Sequence, residues 1–169
     1  MWREIVELSR PKNVVLAAIT VPLGAHLALS GAWSTQALSL VALQTTSAIC
    51  FMAAGNTLND IADVSIDKEA KPDKPIPAQR VSIDQATKIA YSFSLLSAAF
   101  MGLGAYLSDE PVPIVLIWSI AAFLMYTYDS GFQTKKMGLL GNVAISLMVG
   151  AVIVFGAAAV SKADTELVI

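Results

Sequence analysis

Charge is scarce in this chain: Asp, Glu, Lys and Arg together make up 14% of its 169 residues, against roughly a quarter in a soluble domain. With 56% hydrophobic residues beside that deficit, an ordinary soluble domain is excluded. Cysteine occurs once, at Cys50 inside an apolar run. No disulfide and no cysteine metal site has a partner within the chain, and a small buried apolar side chain is the reading that remains. Histidine also occurs once, and His26 suits packing against another helix or a place near the outer interface better than metal ligation. A net charge of −2 and the lack of a basic groove interleaved with aromatics argue against a nucleic-acid partner. The N-terminal MWREIVELSRPKN contains acidic residues and lacks a small-residue cleavage site after a short apolar core, so it does not read as a secretory signal. It suits an amphipathic helix on the membrane surface, with Trp2, Ile5, Val6 and Leu8 on the apolar side. Low-complexity segments, long linkers and internal repeats are all missing, which points to one domain over 1–169 and away from a repeat-built transporter.

What is present is five apolar blocks, at 13–33, 37–58, 86–107, 111–128 and 138–160. Each is near the ~17–25 residues that a helix needs to cross the hydrocarbon core. Pro111 and Pro113 open the fourth block, where a first helical turn tolerates proline. The expected fold class is all-α, a polytopic transmembrane bundle of five spans. The basic residues lie in the N-terminal segment (Arg3, Arg10, Lys12), between the second and third blocks (Lys68, Lys71, Lys74, Arg80, Lys88) and between the fourth and fifth (Lys135, Lys136), with Lys162 apart. Five spans put those three segments on one side, which the positive-inside rule names cytoplasmic. A multi-pass cell-membrane protein with a cytoplasmic N-terminus is expected.

The second block runs straight into NTLNDIADVSIDKEAKPDKPIPAQR, Asn56 to Arg80, which holds four of the chain's 13 acidic residues as aspartates. Asn56, Asp60, Asp63 and Asp67 follow at helical steps and fall within an arc of about 60°, with Asn59 beside them. Three carboxylates on one face repel one another, and ionised groups beside hydrocarbon are costly, so the stripe needs cations. Carboxylate and amide oxygens are hard ligands suited to Mg²⁺, which commonly shares its coordination with substrate phosphates. A metal so placed could hold a diphosphate while an attached hydrocarbon chain enters the membrane. The plainer reading, a solvated helix end paired with Lys68, Lys71 or Lys74, accounts for Glu69 and Asp73 but poorly for Asn56 and Asp60, which continue an apolar helix.

NDIADVSIDKEAKPDKPIP resembles the first aspartate-rich motif of the UbiA superfamily of intramembrane prenyltransferases: Asn59, Asp60, Asp63 and Asp67, then Lys74, Pro75, Ile76 and Pro77. LSRPKN, ending at Asn13, resembles that family's entry into its first helix, and YTYDSGFQTKKMGLLGN, from Tyr126 to Asn142, resembles its tyrosine-to-lysine segment and glycine-asparagine turn. The resemblance implies that Asn56, Asp60, Asp63 and Asp67 bind Mg²⁺ and the diphosphate of an isoprenoid donor. It implies that Lys135 or Lys136 contacts a phosphate and that Tyr126 or Tyr128 lines the place where the allylic carbon loses its leaving group. Asn13, Asn59, Lys74, Arg80 and Asn142 would serve substrate binding. Interface anchoring for the tyrosines and topology alone for the lysines stay open beside those roles.

Members of the family carry about nine transmembrane helices and a second aspartate-rich motif, whereas five blocks and no further D-x-x-x-D are seen here. The expectations are a piece of a longer enzyme, an assembly with another copy or a complementary C-terminal half, or a non-catalytic remnant. IDKEAKPDKPIP and TKKMGLLGN are most similar to the branch that makes archaeal ether lipids. That branch implies transfer of a geranylgeranyl group from its diphosphate to geranylgeranylglyceryl phosphate, a lipid-like acceptor. Prenylation of an aromatic or tetrapyrrole acceptor is the enzymatic alternative, and a membrane scaffold or partner subunit is the alternative of another class.

Overall fold

The computed structural model describes residues 1–29, 32–129 and 134–160, leaving aside the side chain of Lys136. The segment SKADTELVI, positions 30–31 within the first apolar block and positions 130–133 of YTYDSGFQTKKMGLLGN lie outside the described residues. The described chain is helical: α1 (Trp2–Ser9), α2 (Pro11–Ala28), α3 (Thr35–Ala62), α4 (Val64–Ala70), α5 (Ile83–Tyr106), α6 (Pro111–Asp129), a 3-10 turn (Thr134–Lys136) and α7 (Leu139–Ala158).

Helices of 18 or more residues occupy all five apolar blocks. Four of them, α3, α5, α6 and α7, are long and apolar enough to cross a membrane. The fifth, α2, has 18 residues and includes Lys12, Asn13 and His26. Pro22 lies inside it, so a backbone N–H is missing in mid-helix. The starts of α3 and α5 precede their apolar runs because polar caps define them. Ser34 accepts from the Ala37 N–H at 3.0 Å to start α3, and Ser82 and Gln85 form a capping box at the start of α5.

The long helices close into a ring in which α3 neighbours α5, α5 neighbours α6, α6 neighbours α7, and α7 returns through α2 to α3. The α2–α7 contact is a backbone-to-backbone approach. A Cβ on Gly24 would lie 2.0 Å from the Ile153 carbonyl oxygen, and one on Gly156 would lie 2.0 Å from that of Val21. The pairing 24 with 153 and 21 with 156 makes the two helices antiparallel. Small residues let membrane helices approach this closely, and dispersion then replaces the missing hydrophobic drive. The core between helices is correspondingly small-residue rich: Ala17, Val21, Ala48, Met101, Ala105, Ile114, Phe155 and Ala158. Outward faces stay apolar, with Leu95, Val112, Phe123 and Leu139 all exposed, as expected where the surrounding solvent is lipid.

The N-terminal helix docks on protein as well as offering an apolar edge. Leu8 is fully buried with Ile76, Val81 and Ala86, whereas Trp2 is 78% exposed and Val6 is also exposed. His26 is exposed and stacks on Trp33, with ring centroids 6.3 Å apart, and Cys50 is a buried free thiol.

Candidate functional site

The acidic stripe is divided where α3 ends. Asp63 takes φ −98° and ψ 8° between α3 and α4, although its N–H still reaches the Asn59 carbonyl at 3.0 Å and its own carbonyl accepts from Asp67 at 2.8 Å. The bend keeps Asp60 and Asp67 on one side and sends Asp63 to another partner. Lys74 Nζ donates to Asp60 Oδ1 at 2.9 Å and to Asp67 Oδ2 at 2.6 Å. Lys135 Nζ donates to Asp63 Oδ1 at 2.7 Å and to Asp129 Oδ1 at 3.2 Å. Each lysine thus bridges two carboxylates, and Asp60, Asp67 and Asp129 are each 4% exposed.

The proline-rich segment aims Lys74. Pro75 and Ile76 are buried, Ile76 among Leu8, Val81 and Ala86, so the segment is anchored immediately after the lysine. The Pro75 carbonyl accepts from the N–H groups of Arg80 and Val81, folding the chain back at Gln79, whose φ is 58°. Burial alone lowers the Lys74 pKa, but the hydrogen bonds and charges of Asp67 and Asp60 outweigh it and hold the ammonium above its ordinary value. Lys135 is shifted the same way, burial opposing and Asp63 and Asp129 prevailing.

Arg10 completes the mouth. It sits between α1 and α2 at φ 51°, directly before Pro11. A non-glycine residue in that left-handed region costs of order 1 kcal/mol. The conformation points its guanidinium across to α3, where it donates to Asn59 Oδ1 at 2.9 Å and pairs with Asp60. Asn59 in turn donates to Asp129 Oδ1 at 2.9 Å. Asn13 donates to Asn56 Oδ1 at 3.1 Å, and Asn56 donates to the Ser9 carbonyl at 2.8 Å.

Behind this polar rim lies a cavity of about 430 Å³ among α2, α3, α6 and α7. Arg10, Asn13, Asn56, Asn59, Tyr128 and Asp129 line its mouth, and apolar side chains such as Leu16, Met52, Met125 and Met148 line its depth. The structure therefore gathers Asn13, Asn56, Asn59, Asp60, Asp63, Asp67, Lys74, Lys135 and Tyr128 at one end of the bundle. It separates Tyr126, which is 62% exposed, from Tyr128. Asn142 is exposed on α7 and does not line the cavity. Arg80 is held by both carboxylate oxygens of Glu7 at 2.9 Å and by the Asp73 carbonyl at 2.8 Å. The side chain of Lys136 lies outside the described residues.

Two site residues were not singled out in sequence, although each lies in a segment that resembles the family. Arg10, in LSRPKN, reads as a topology charge, and Asp129, in YTYDSGFQTKKMGLLGN, belongs to no acidic repeat. The signal for Asp129 was its place as an ionisable residue at the end of an apolar block.

No group of three or more His, Cys, Asp and Glu residues able to hold a metal occurs among the described residues. The donor chemistry nonetheless fits a divalent ion: hard oxygens converge in pairs, Asp60 with Asp67 and Asp63 with Asp129, each pair already closing on one cationic centre. A shell completed by substrate phosphate oxygens and water needs only a few such protein donors.

The model of the UbiA prenyltransferase family matches residues 8–169. The chain belongs to this family. Among similar proteins, the digeranylgeranylglyceryl phosphate synthase of Methanobrevibacter smithii is 34% identical over 151 residues, covering 89% of this chain and 50% of that protein. The synthase of the same name from Pyrococcus abyssi is 31% identical over 163 residues, covering 95% and 54%. That from Methanothermobacter thermautotrophicus is 36% identical over 151 residues, covering 89% and 49%. The chain spans about half the length of the curated relatives it matches. A solved structure described as that of digeranylgeranylglyceryl phosphate synthase in membranes superposes with a TM-score of 0.78, covering 94% of this chain and 53% of that one at 24% identity. At that identity the likeness establishes the UbiA-like helical fold.

Proposed function

We propose that this chain forms the donor-binding part of an intramembrane prenyltransferase that moves a geranylgeranyl group from its diphosphate to the free glycerol hydroxyl of geranylgeranylglyceryl phosphate. The observation that carries the reading is an apolar cavity whose mouth is lined by Arg10, Asn13, Asn56, Asn59 and Asp129, beside aspartates that Lys74 and Lys135 bridge in pairs. An isoprenoid diphosphate has the same polarity, a hydrocarbon tail with a polyanionic head. The names of the similar archaeal proteins support the choice of acceptor.

At the mouth, Arg10, Lys74 and Lys135 offer charge-assisted donors to phosphate oxygens, and the amides of Asn13, Asn56 and Asn59 offer further donors. Bound Mg²⁺ would be held by Asp60 with Asp67 or by Asp63 with Asp129, and would supply charge against the departing diphosphate. Tyr128 flanks the region where the allylic C–O bond breaks. The electron pair of that bond leaves with the diphosphate, the acceptor hydroxyl oxygen forms the ether bond, and its proton is released. Apolar walls keep water from capturing the allylic cation. The bias of the basic segments supports an N-terminus and a mouth on the cytoplasmic side. A second copy or a complementary half would supply the remaining wall.

The test is product analysis in nanodiscs with geranylgeranyl diphosphate, geranylgeranylglyceryl phosphate and Mg²⁺, using the chain alone and with a supplied C-terminal half. The expected result is a lipid with two geranylgeranyl ethers and released diphosphate in at least one combination, abolished by chelator. Diphosphate release only with aromatic acceptors would redirect the acceptor, and no release in any combination would overturn the enzymatic reading.

A further inference from the structure

The deep end of the cavity is built from different chemistry than its mouth. Ala48 and Phe155 belong both to the cavity wall and to the buried core, and Trp118 lines the cavity while packing against that core. Trp118 and Asp129 lie on the same helix. Their separation in sequence corresponds to about 16 Å along the axis, so the indole stands far from the polar head and near the floor.

The indole is fixed in place. Its Nε1–H donates to Ser97 Oγ at 2.9 Å on α5. Ser97 is fully buried, its hydroxyl lies 3.2 Å from that of Ser47 on α3, and Ser47 also donates to the Ser97 carbonyl at 2.9 Å. Phe51 meets the ring edge-on, with centroids 6.0 Å apart and planes at 74°. An indole N–H turned away from Ser97 would face hydrocarbon without a partner, which is costly where no water can replace the bond. The ring is therefore a rigid end-wall, unlike the flexible methionines along the sides.

We propose that Trp118, pinned by Ser97, sets how many isoprene units the cavity accepts. The inference rests on the prenyl-diphosphate reading and adds to it the residue that decides length. A chain entering at the mouth passes Leu16, Met52 and Met148 and ends against the indole. Phe155 shares the floor but is itself core, whereas Trp118 is partly exposed and held by a side-chain hydrogen bond, so it is the wall that can be moved without emptying the core.

The experiment measures binding of geranyl, farnesyl, geranylgeranyl and geranylfarnesyl thiolodiphosphates, which do not react, to the chain in nanodiscs, alone and with the supplied C-terminal half. Wild type is expected to show an optimum length. Trp118→Ala should move the ratio of longer to shorter probes by about tenfold or more, the scale on which apolar pockets discriminate added carbons. Ser97→Ala keeps the ring and frees it, and should flatten the preference by about threefold. Trp118→Phe, smaller and without the N–H, should fall between them and carries the test if the alanine variant does not fold. Folded variants that keep the wild-type ranking overturn the role of Trp118 while leaving the prenyl-diphosphate reading intact. Wild type that binds none of the probes overturns both.

Discussion

The two ends of this bundle are held together by different physics. Around Gly24 and Gly156 the α2 and α7 backbones touch, with alanines and other small or medium apolar residues filling the space between helices. Around Asp60 no such close packing is needed, because Arg10 and Lys74 tie that carboxylate across segments far apart in sequence. Contact between backbones has no purpose beyond shape. Buried charges are a poor way to gain stability, since desolvation offsets much of their attraction. That buried charges lie at only one end among the described residues teaches that this end is arranged for something other than holding the helices together.

The sharpest way to test that contrast is a substitution that alters the charge and leaves the shape. Asp60→Asn removes a negative charge from the point where Arg10 and Lys74 meet. In the assembled enzyme, loss of a group acting on the departing charge should lower diphosphate release by about 10²–10³-fold. The helical content and the melting temperature should change little, because the amide retains hydrogen-bonding capacity. Circular dichroism beside the release assay separates the two. Equal loss of both would mean that the mouth is structural after all.

Gly24→Leu makes the opposite break. The new Cβ would stand 2.0 Å from a carbonyl oxygen of α7, which is backbone and cannot rotate aside. The helices must separate, at a cost of about 3 kcal/mol, the upper part of the usual overpacking range. Thermal melting in detergent should show it. Probe binding should weaken along with it, because α7 contributes Met148, Val152 and Phe155 to the cavity. A stable Gly24→Leu variant with intact binding would show that the close approach is dispensable.

The apolar end was legible in the sequence because its determinants are local. Spans follow from runs of apolar residues, and the helices appear in all five blocks, shifted at Ser34 and Ser82 because capping hydroxyls and not hydropathy start a helix. The motif side of the mouth was also legible, since Asn56, Asp60, Asp63 and Asp67 recur at helical steps. What a helical wheel could not show is the bend at Asp63, which splits those residues between Lys74 and Lys135. Nor could it show Arg10 and Asp129 as site residues, because each is defined by a partner on α3 that only the folded chain brings near. The choice between Tyr126 and Tyr128 likewise depends on which face of α6 meets the cavity.

The rim of the mouth gives the smallest expected effect and tests where the functional region ends. Arg80 lies three residues past the segment that resembles the family motif, and its guanidinium is occupied by Glu7 and the Asp73 carbonyl, joining α1 to the loop before α5. Both side chains of the Arg80–Glu7 pair are about a third exposed, so water competes for the bond and the pair contributes little. Arg80→Ala should therefore lower the melting temperature slightly and change diphosphate release by less than about threefold. Glu7→Gln, which leaves the arginine in place, should lower stability by a similar amount. If Arg80→Ala instead cost tenfold or more in release while Glu7→Gln cost nothing, Arg80 would have to leave Glu7 and meet the phosphates, and the functional mouth would extend outward to include it.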